Sequence, residues 1–357
     1  MSSLTEFQAS PPASVCILRL SAIGDTCHTL AVLRTLEAAW PRTRFTWIIG
    51  KLEHKLLALV PNVEFISYDK RGGLGELRRL RRVLAGRRFD VLLHMQLAFR
   101  ASVISSLVRA RVKLGFDRPR AHELQWLFTT DRIHAAGNQH VLDGLFGFAE
   151  ALGVHDRQLR WDLPLPDAAR AYAERLVPGH RPTLVISPCS SHPLRNWRAA
   201  HYAAVADHAV AAHGMRVILC GGPAPAERAM ADAIVEAARL PVIDQVGKDT
   251  LPELLALLAR ADVLVTPDSG PAHMGTAVGL PVVGLYAATR VARCGPYLSR
   301  ANCVDRYTEA ARQFLGKEPD ELPWTRKIEL PGVMDLISPQ DVIEKLDAVM
   351  RQPLRRR

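Results

Sequence analysis

One segment, residues 261–286, constrains the fold of this chain more than any other. Its residues 263–266 are apolar and mostly β-branched, which predicts a buried parallel strand. Residues 268–270 (Asp-Ser-Gly) follow at once, and Pro271 stands where the first turn of a helix is expected. Open α/β sheets bind ligands at the carboxyl ends of their strands, and a helix N-terminus favours anions such as a diphosphate. The segment therefore predicts an anion site at a sheet edge.

The same residues also have a purely structural interpretation. Asp or Ser before a proline is an ordinary helix N-cap, and Gly279 is an ordinary helix stop. His273 lies one turn into the predicted helix, near enough to Ser269 and Gly270 to face the same ligand. This favours binding, although a single helical histidine is more often structural. The local sequence leaves capping and ligand binding both open.

Length and hydropathy indicate a two-domain α/β protein. The chain has 357 residues, and helical and strand patterns alternate throughout. No apolar run approaches the roughly 20 residues that span a bilayer. Residues 1–14 lack the basic and apolar regions of a secretory signal, and we predict a disordered lead-in there.

Charge and cysteine use narrow the function classes. The net charge of +10 favours an acidic partner, namely a phosphorylated substrate, an anionic membrane surface or a nucleic acid. Nucleic acid ranks last, because the sequence contains no zinc-finger spacing, RNA-binding signature or helix-turn-helix. The six cysteines show no Cys-x-x-Cys pair and no metal-ligand spacing, which predicts reduced thiols in a cytosolic protein.

The first half opens with a similar strand–turn–helix pattern. Residues 15–20 predict a buried strand and residues 26–39 a helix, with Gly24 and Asp25 in the turn between them. The sequence has no Gly-x-Gly-x-x-Gly there, so a dinucleotide site is unsupported. Asp25 stands on the ligand side of the predicted sheet, and a helix N-cap is an equally good interpretation of it.

An arginine-rich amphipathic helix is predicted within residues 74–90. Arg78 and Arg79 belong to its basic face, which is either an ordinary solvated face or a surface for phosphates and anionic lipid. Further polar and basic groups follow in the rest of this half, at Gln96, Arg100, Arg120 and His140. All of them belong to the first half, so the anion they bind need not be the one bound at Asp268.

The second half offers a second set of polar groups after its predicted strands. Ser190 and Ser191 can donate hydrogen bonds to phosphate oxygens, and Arg195 can pair with one. Gly221 lets the backbone turn tightly against a ligand. Glu227 either accepts from ribose hydroxyls or merely complements the dipole of its own helix.

Composition shifts divide the chain into domains. The Pro-rich segment around one polar helix predicts a hinge. We predict an N-terminal Rossmann-like domain over residues 15–165, a hinge over 166–182, a C-terminal Rossmann-like domain over 183–338, and a last helix with a basic tail over 339–357.

Two motifs resemble the lipopolysaccharide heptosyltransferases, glycosyltransferase family nine. Residues 18–30 (Leu-Arg-Leu-Ser-Ala-Ile-Gly-Asp-Thr-Cys-His-Thr-Leu) are similar to the family's opening strand, Gly-Asp turn and helix. Residues 266–273 (Thr-Pro-Asp-Ser-Gly-Pro-Ala-His) are similar to its Asp-[Ser/Thr]-Gly-x-x-His donor loop. The likeness covers roughly residues 15–350. It implies the GT-B architecture, in which two Rossmann-like domains face each other across a cleft.

The resemblance also implies roles for individual residues. Asp25 would be the general base, and Arg195 stands where the family usually has Lys, which keeps the charge but changes the shape. The donor-binding set expected here is Ser190, Ser191, Arg195, Gly221, Glu227, Asp268, Ser269, Gly270 and His273. The acceptor-binding set expected here is Gly24, Gln96, Arg100, Arg120, His140, Arg78 and Arg79.

The expected reaction is inverting transfer of a heptose from ADP-heptose to the inner-core Kdo or heptose of a lipopolysaccharide precursor. No Asp-x-Asp pair occurs, so we expect no metal requirement. The basic first half fits a phosphorylated lipid A–Kdo acceptor at an anionic surface. The resemblance therefore implies a cytoplasmic protein, peripheral on the inner membrane, and we expect a monomer.

Three other interpretations are open. The first is a family-nine glycosyltransferase with another acceptor, such as a protein or a different glycan. The second is a nucleotide-sugar epimerase of GT-B fold, which would convert the donor alone. The third is a non-catalytic nucleotide-binding or membrane-surface protein. Fold cannot choose among them, and the paired motifs around Asp25 and Asp268 favour the transferase.

Overall fold

The computed structural model describes residues 3–353 and divides the chain into two compact units, Met1–Pro164 and Leu165–Arg357. Each unit contains one six-stranded sheet in which all paired strands are parallel. The predicted α/β class with two Rossmann-like halves is confirmed. None of the helices within residues 3–353 is long and apolar enough to cross a bilayer.

In the first unit the strands run in the order β3-β2-β1-β4-β5-β6. The strands are β1 (Ser14–Leu18), β2 (Arg44–Gly50), β3 (Val63–Tyr68), β4 (Phe89–His94), β5 (Ala110–Gly115) and β6 (Asp131–Arg132). The helices are α1 (Ser3–Ala9), α2 (Ile23–Ala39), α3 (Lys51–Leu57), α4 (Gly73–Val83), α5 (Phe99–Leu107) and α6 (Val141–Ala151). The strand order reverses direction between β1 and β4, and such switch points are where doubly wound sheets bind ligands.

The second unit repeats this topology in the order β12-β11-β10-β7-β8-β9. Its strands are β7 (Thr183–Ile186), β8 (Arg216–Leu219), β9 (Ile243–Asp244), β10 (Val263–Pro267), β11 (Val282–Tyr286) and β12 (Val304–Asp305). Its helices are α7 (Asp167–Leu176), α8 (Ala199–His213), α9 (Pro225–Ala237), α10 (Leu251–Arg260), α11 (Gly270–Ala277), α12 (Val291–Cys294), α13 (Tyr307–Leu315) and α14 (Pro339–Met350). Here the switch point lies between β7 and β10.

The central strands consist mostly of apolar residues because helices cover both faces of a parallel sheet. Every residue of β10 is buried, as is every residue of β7. Trp197 and Tyr202 anchor the segment that leads from β7 into α8, with their rings 5.0 Å apart in a T-shaped contact. The Trp197 indole donates to Ile337 O at 2.9 Å, and the Tyr202 hydroxyl donates to Pro188 O at 3.1 Å. These contacts anchor both ends of the polar loop that follows β7.

A helix occupies part of residues 1–14, where the sequence predicts a disordered lead-in. Residues Ser3–Ala9 form α1, and Phe7 is buried. The amide of Gln8 donates to Ala151 O at 3.2 Å, and Arg111 pairs with Glu6 at 2.6 Å. This helix is stabilised by one buried aromatic ring and by contacts with residues more than a hundred positions away. No local sequence pattern therefore predicts it.

At the predicted hinge, the structure places α7 inside the second unit. Ala169 and Ala173 of α7 pack with Ala256 of α10 in a small apolar cluster. At the other end of the chain, the last helix is present as α14, where the Ser338 hydroxyl accepts from Asp341 N at 3.2 Å. Residues 354–357 of the predicted basic tail lie outside the described residues.

The six cysteines are free thiols, as predicted. Five of them are buried, at Cys16, Cys27, Cys220, Cys294 and Cys303. Burial raises the pKa of Cys27 and of Cys294 to about 12. Cys189 is half-buried and directly precedes Ser190, and burial raises its pKa to about 11.

Candidate functional site

The switch point of the second unit gathers most of the predicted donor residues. Ser190 and Arg195 follow β7, and Asp268 follows β10, its neighbour in the sheet. The Arg195 guanidinium lies 3.1 Å from an Asp268 carboxylate oxygen. The Ser190 hydroxyl donates to the Asp268 carbonyl at 2.8 Å. The structure therefore brings these three residues together, and it connects the loops after β7 and β10.

A carboxylate that the sequence did not single out completes this cluster. Glu329 contacts Arg195 on its other side, with Nη2–Oε1 at 2.6 Å and Nε–Oε1 at 2.8 Å. Burial opposes ionisation of Glu329, but the hydrogen bond and charge of Arg195 outweigh it and lower the pKa of this carboxyl. Glu329 lies in an irregular segment 134 positions after Arg195, so neither periodicity nor a motif marks it.

The start of α11 is arranged for an anion. Ser269 is the residue before the helix, and its hydroxyl is bonded to Thr266 at 2.8 Å without a side-chain cap on α11. Gly270 and Pro271 open the helix, and His273 lies one turn further along and is 8% exposed. Asp268, which contacts Arg195 and Ser190, stands two residues before the first residue of α11, while Ser191 is exposed on the loop after β7.

Glu227 lies against the glycine pair after β8. Its carboxylate accepts from Gly222 N at 2.6 Å. A Cβ on Gly221 would come within 2.8 Å of the same carboxylate, so a larger residue there would displace the Glu227 side chain. Glu227 therefore lies in the first turn of α9, where it complements the helix dipole, and also at the ligand edge of the sheet. This position is compatible with both interpretations of Glu227, as a partner of the helix dipole and as an acceptor for ribose hydroxyls.

Asp249, just after β9, is another residue that sequence reasoning missed. Its Oδ2 atom is buried and has no hydrogen-bond partner among the described residues. Burial raises the pKa of this carboxyl to about 7, and the charges of Glu253 and Glu227 act in the same direction. No sequence pattern distinguishes such a carboxyl from an exposed aspartate in a turn.

In the first unit, Asp25 lies in the first turn of α2, beside the buried Gly24. Its carboxylate forms an ion pair with Arg19 and accepts from Ala22 N at 3.2 Å. The side chain is 30% exposed, so a substrate hydroxyl can reach it. Arg19 also donates to Met95 O beyond β4, which fixes the guanidinium from both sides of the switch point.

Gln96 braces the turn that carries Asp25. Its amide oxygen accepts from Leu20 N at 2.6 Å, and its amide nitrogen donates to the Ser21 hydroxyl at 3.3 Å. Gln125, a buried residue that the sequence analysis passed over, donates to His94 O at 2.9 Å and to Gln96 O at 3.1 Å. The two glutamines thus tie the ends of β1 and β4 together under Asp25.

Four of the remaining acceptor candidates are held by local partners. Arg79 pairs with Glu76 and donates to Ser67 O, which ties α4 to β3. His140 is buried, and its Nδ1 accepts from Leu142 N at 3.0 Å as the cap of α6. Two further basic residues have backbone partners: Arg100 donates to Lys70 O at 3.2 Å, and Arg120 pairs with Asp117 and donates to His134 O at 3.1 Å.

Arg78 differs from these residues. It is exposed on α4 together with Arg81 and Arg82, whereas Leu80 of the same helix is buried. Within the described part of the chain none of these three arginines forms an ion pair, so α4 presents an uncompensated positive face.

Comparison with known structures gives the fold. The chain aligns with a glycosyltransferase family 9 structure from Veillonella parvula at a TM-score of 0.78 and 23% identity, covering 95% of this chain and 97% of the other. It aligns with Escherichia coli ADP-heptose lipopolysaccharide heptosyltransferase II at a TM-score of 0.72 and 20% identity, covering 94% and 98%. The fold is thus that of the GT-B glycosyltransferases.

Sequence comparison gives the family. The model of glycosyltransferase family 9 (heptosyltransferase) matches residues 77–325. The chain is 40% identical to the lipopolysaccharide core heptosyltransferase OpsX of Haemophilus influenzae over 94% of this chain and 96% of that protein. The chain therefore belongs to glycosyltransferase family 9. It is an enzyme that transfers a sugar.

Proposed function

We propose that this protein transfers a heptose from ADP-heptose to the inner core of a lipopolysaccharide precursor, with inversion at the anomeric carbon. The observation that carries the proposal is Arg195, held beside the N-terminus of α11 by Asp268 and Glu329. A cation at an uncapped helix start is suited to a nucleotide diphosphate. The 40% identity to a lipopolysaccharide core heptosyltransferase supports the choice of sugar and acceptor.

The leaving group is stabilised by the second unit. As the bond between the anomeric carbon and the diphosphate oxygen breaks, its electron pair passes to ADP, and negative charge develops there. Arg195, the hydroxyl of Ser191 and the first amides of α11 supply the compensating positive charge and hydrogen bonds. The hydroxyl of Ser190 joins them by turning away from the Asp268 carbonyl to which it donates. We propose that Glu227, whose carboxylate accepts from Gly222 N, also accepts from the ribose hydroxyls. We propose that no metal ion takes part in this step.

The acceptor is activated by the first unit. Its hydroxyl oxygen attacks the anomeric carbon, and the hydroxyl proton passes to the carboxylate of Asp25. A carboxylate is too weak a base to remove that proton in advance, but it can take it in the transition state, when the attacking oxygen has become acidic. Arg19 and Ala22 N hold the carboxylate in one orientation for the transfer.

The acceptor is an amphiphile, and α4 supplies a surface for its membrane. Arg78, Arg81 and Arg82 project from a helix whose Leu80 is buried, so the basic face is directed away from the core. Each arginine near an anionic bilayer contributes about 1 kcal/mol of attraction. We propose a monomeric enzyme that works at the cytoplasmic face of the inner membrane and binds the phosphates of a lipid A–Kdo acceptor.

The test of the proposed transfer is ADP release from ADP-heptose, with and without a Kdo–lipid A acceptor. The proteins are the wild type, Asp25→Asn and the control Asp156→Asn, which changes an exposed aspartate of the same unit. We expect acceptor-dependent release by the wild type and the control, and loss of it in Asp25→Asn. Release that ignores the acceptor would contradict the assigned acceptor and favour hydrolysis or epimerase-like chemistry.

A separate measurement tests the membrane surface. Replacing Arg78, Arg81 and Arg82 together by Gln should weaken binding to phosphatidylglycerol vesicles by roughly 100-fold, from about 1 kcal/mol for each charge. A matched triple Gln variant at three exposed arginines of the second unit keeps the same net charge: Arg170, Arg239 and Arg351. Equal loss in both variants would show that net charge, and not α4, governs binding.

A further inference from the structure

A cluster of metal-ligating side chains lies outside both switch points. His208 and His213 belong to α8 and Asp347 to α14. The Nε2 atoms of the two histidines lie 2.8 Å and 2.7 Å from the same oxygen, Oδ1 of Asp347. The side chains are between 23% and 32% exposed, so an ion in solution can reach them.

The place of the cluster in the fold separates it from the transfer chemistry. His213 is the last residue of α8, and the chain enters β8 at Arg216. In a parallel sheet the end of a connecting helix lies at the edge where the next strand begins. The cluster therefore lies at the edge opposite to the loops of Ser190 and Asp268.

The spacing of the three atoms is close to that of ligands sharing one ion. Imidazole nitrogens and carboxylate oxygens bind zinc and similar divalent ions at about 2.0–2.2 Å. Ligands at such bond lengths around a tetrahedral ion are separated from one another by about 3.3–3.6 Å. All three atoms already lie within 4.8 Å of one another, and the two nitrogen–oxygen distances need to open by about 0.5–0.9 Å, which side-chain rotation can supply.

The neighbouring carboxylate of α8 is committed elsewhere. Asp207 accepts from the backbone N–H groups of Arg239 and Leu240, at 2.9 Å each. This leaves His208, His213 and Asp347 as the protein ligands, with the remaining positions of the ion open to water. Among the residues that the structure describes, this is the one group of three such side chains with atoms this close together.

We propose that His208, His213 and Asp347 bind one divalent transition-metal ion, for which Zn²⁺ is the probe, and that the ion fastens α14 to α8. α14 is the last helix of the chain, and it buries Val342, Leu346 and Val349 in the core of the second unit. An ion that binds only the folded form stabilises the helix against detachment. The site is structural and takes no part in the transfer.

The test uses the full chain after treatment with a chelator. Zinc titrated at micromolar concentration is followed by calorimetry, and thermal unfolding is recorded in parallel. We expect saturable binding of one ion per chain and a rise in Tm of about 5 °C or more at saturating zinc. Cobalt in place of zinc should give visible absorption bands from a nitrogen- and oxygen-ligated ion.

The variants are His213→Gln and Asp347→Asn, and His180→Gln is the control because His180 is an exposed histidine of the same unit. The first two should lose the binding and the Tm rise, while the control keeps both. A wild type without saturable binding, or variants that bind as well as the wild type, would overturn the site and leave a hydrogen-bonded cluster. ADP release should be the same in metal-free and zinc-loaded enzyme, so this result does not depend on the proposed function.

Discussion

Each of the two units has an Arg–Asp ion pair at its switch point, and the two arginines differ in their other partners. In the first unit, Arg19 is bonded to Asp25 and to a neutral carbonyl, so this cluster contains one carboxylate. In the second unit, Arg195 lies between Asp268 and Glu329, so two carboxylates orient one arginine. We propose that the pair in the first unit orients a general base and that the pair in the second unit belongs to an anion receptor.

The largest effect is expected for Asp25→Asn, which tests the role proposed for the ion pair of the first unit. The amide keeps the shape but cannot take a proton, so we expect acceptor-dependent turnover to fall by about 10²–10⁴-fold. ADP affinity, measured by calorimetry, should be unchanged because the variant leaves the second unit intact. A large loss of ADP affinity would contradict the division of roles between the two ion pairs.

Arg195→Gln is the corresponding change in the second unit. Loss of the charge and of the planar donors should weaken ADP binding by about 10–100-fold, the worth of a charge-assisted hydrogen bond. Arg195→Lys keeps the positive charge but lacks the planar guanidinium, and we expect it to retain most of the ADP affinity. If the Gln variant binds ADP as tightly as the wild type, Arg195 serves its carboxylate neighbours and not the diphosphate.

Arg19→Lys tests whether Arg19 acts by positioning the carboxylate of Asp25. A lysine keeps the charge near Asp25 but cannot also donate to the Met95 carbonyl in the same geometry. We expect kcat to fall by about 10-fold with KM for the acceptor nearly unchanged. A change in KM alone would mean that Arg19 contacts the acceptor directly.

The smallest effect is expected for Glu329→Gln, measured as Tm against pH. The folded-state pKa of Glu329 is lowered, so its ion pair stabilises the protein above the ordinary glutamate pKa, and the stabilisation is lost as pH falls through the lowered value. Near neutral pH the variant should lose about 1 kcal/mol, or a few degrees in Tm. The difference from the wild type should vanish in acid, and a constant difference would assign the loss to packing.

Much of the fold could be predicted because buried parallel strands are apolar on both faces, as in β7 and β10. The positions of Asp25 and Asp268 also followed from the sequence, since polar residues after such strands lie at one sheet edge. Glu329 could not be predicted, because it reaches Arg195 from an irregular segment that carries no periodic pattern. For the same reason α1 was missed, since its stability comes from distant partners such as Ala151 and Arg111.

Among the acceptor candidates, residue type alone was a weak guide. Arg78 and Arg79 are adjacent in sequence, yet one is exposed and the other is paired with Glu76. The difference arises because successive helical residues point about 100° apart, so only Arg79 reaches Glu76 and Ser67. Sequence identifies the basic helix, but only packing decides which of its arginines can meet a ligand.

The uneven burial of the thiols gives the enzyme a natural reporter group. Five cysteines are buried, and only Cys189, adjacent to Ser190 in the loop after β7, is half-buried. A maleimide reagent should therefore modify one position first, and slowly, because burial keeps the pKa of this thiol at about 11. The labelling rate of the unaltered protein should then report whether the loop after β7, the proposed donor site, is occupied, without any engineered probe.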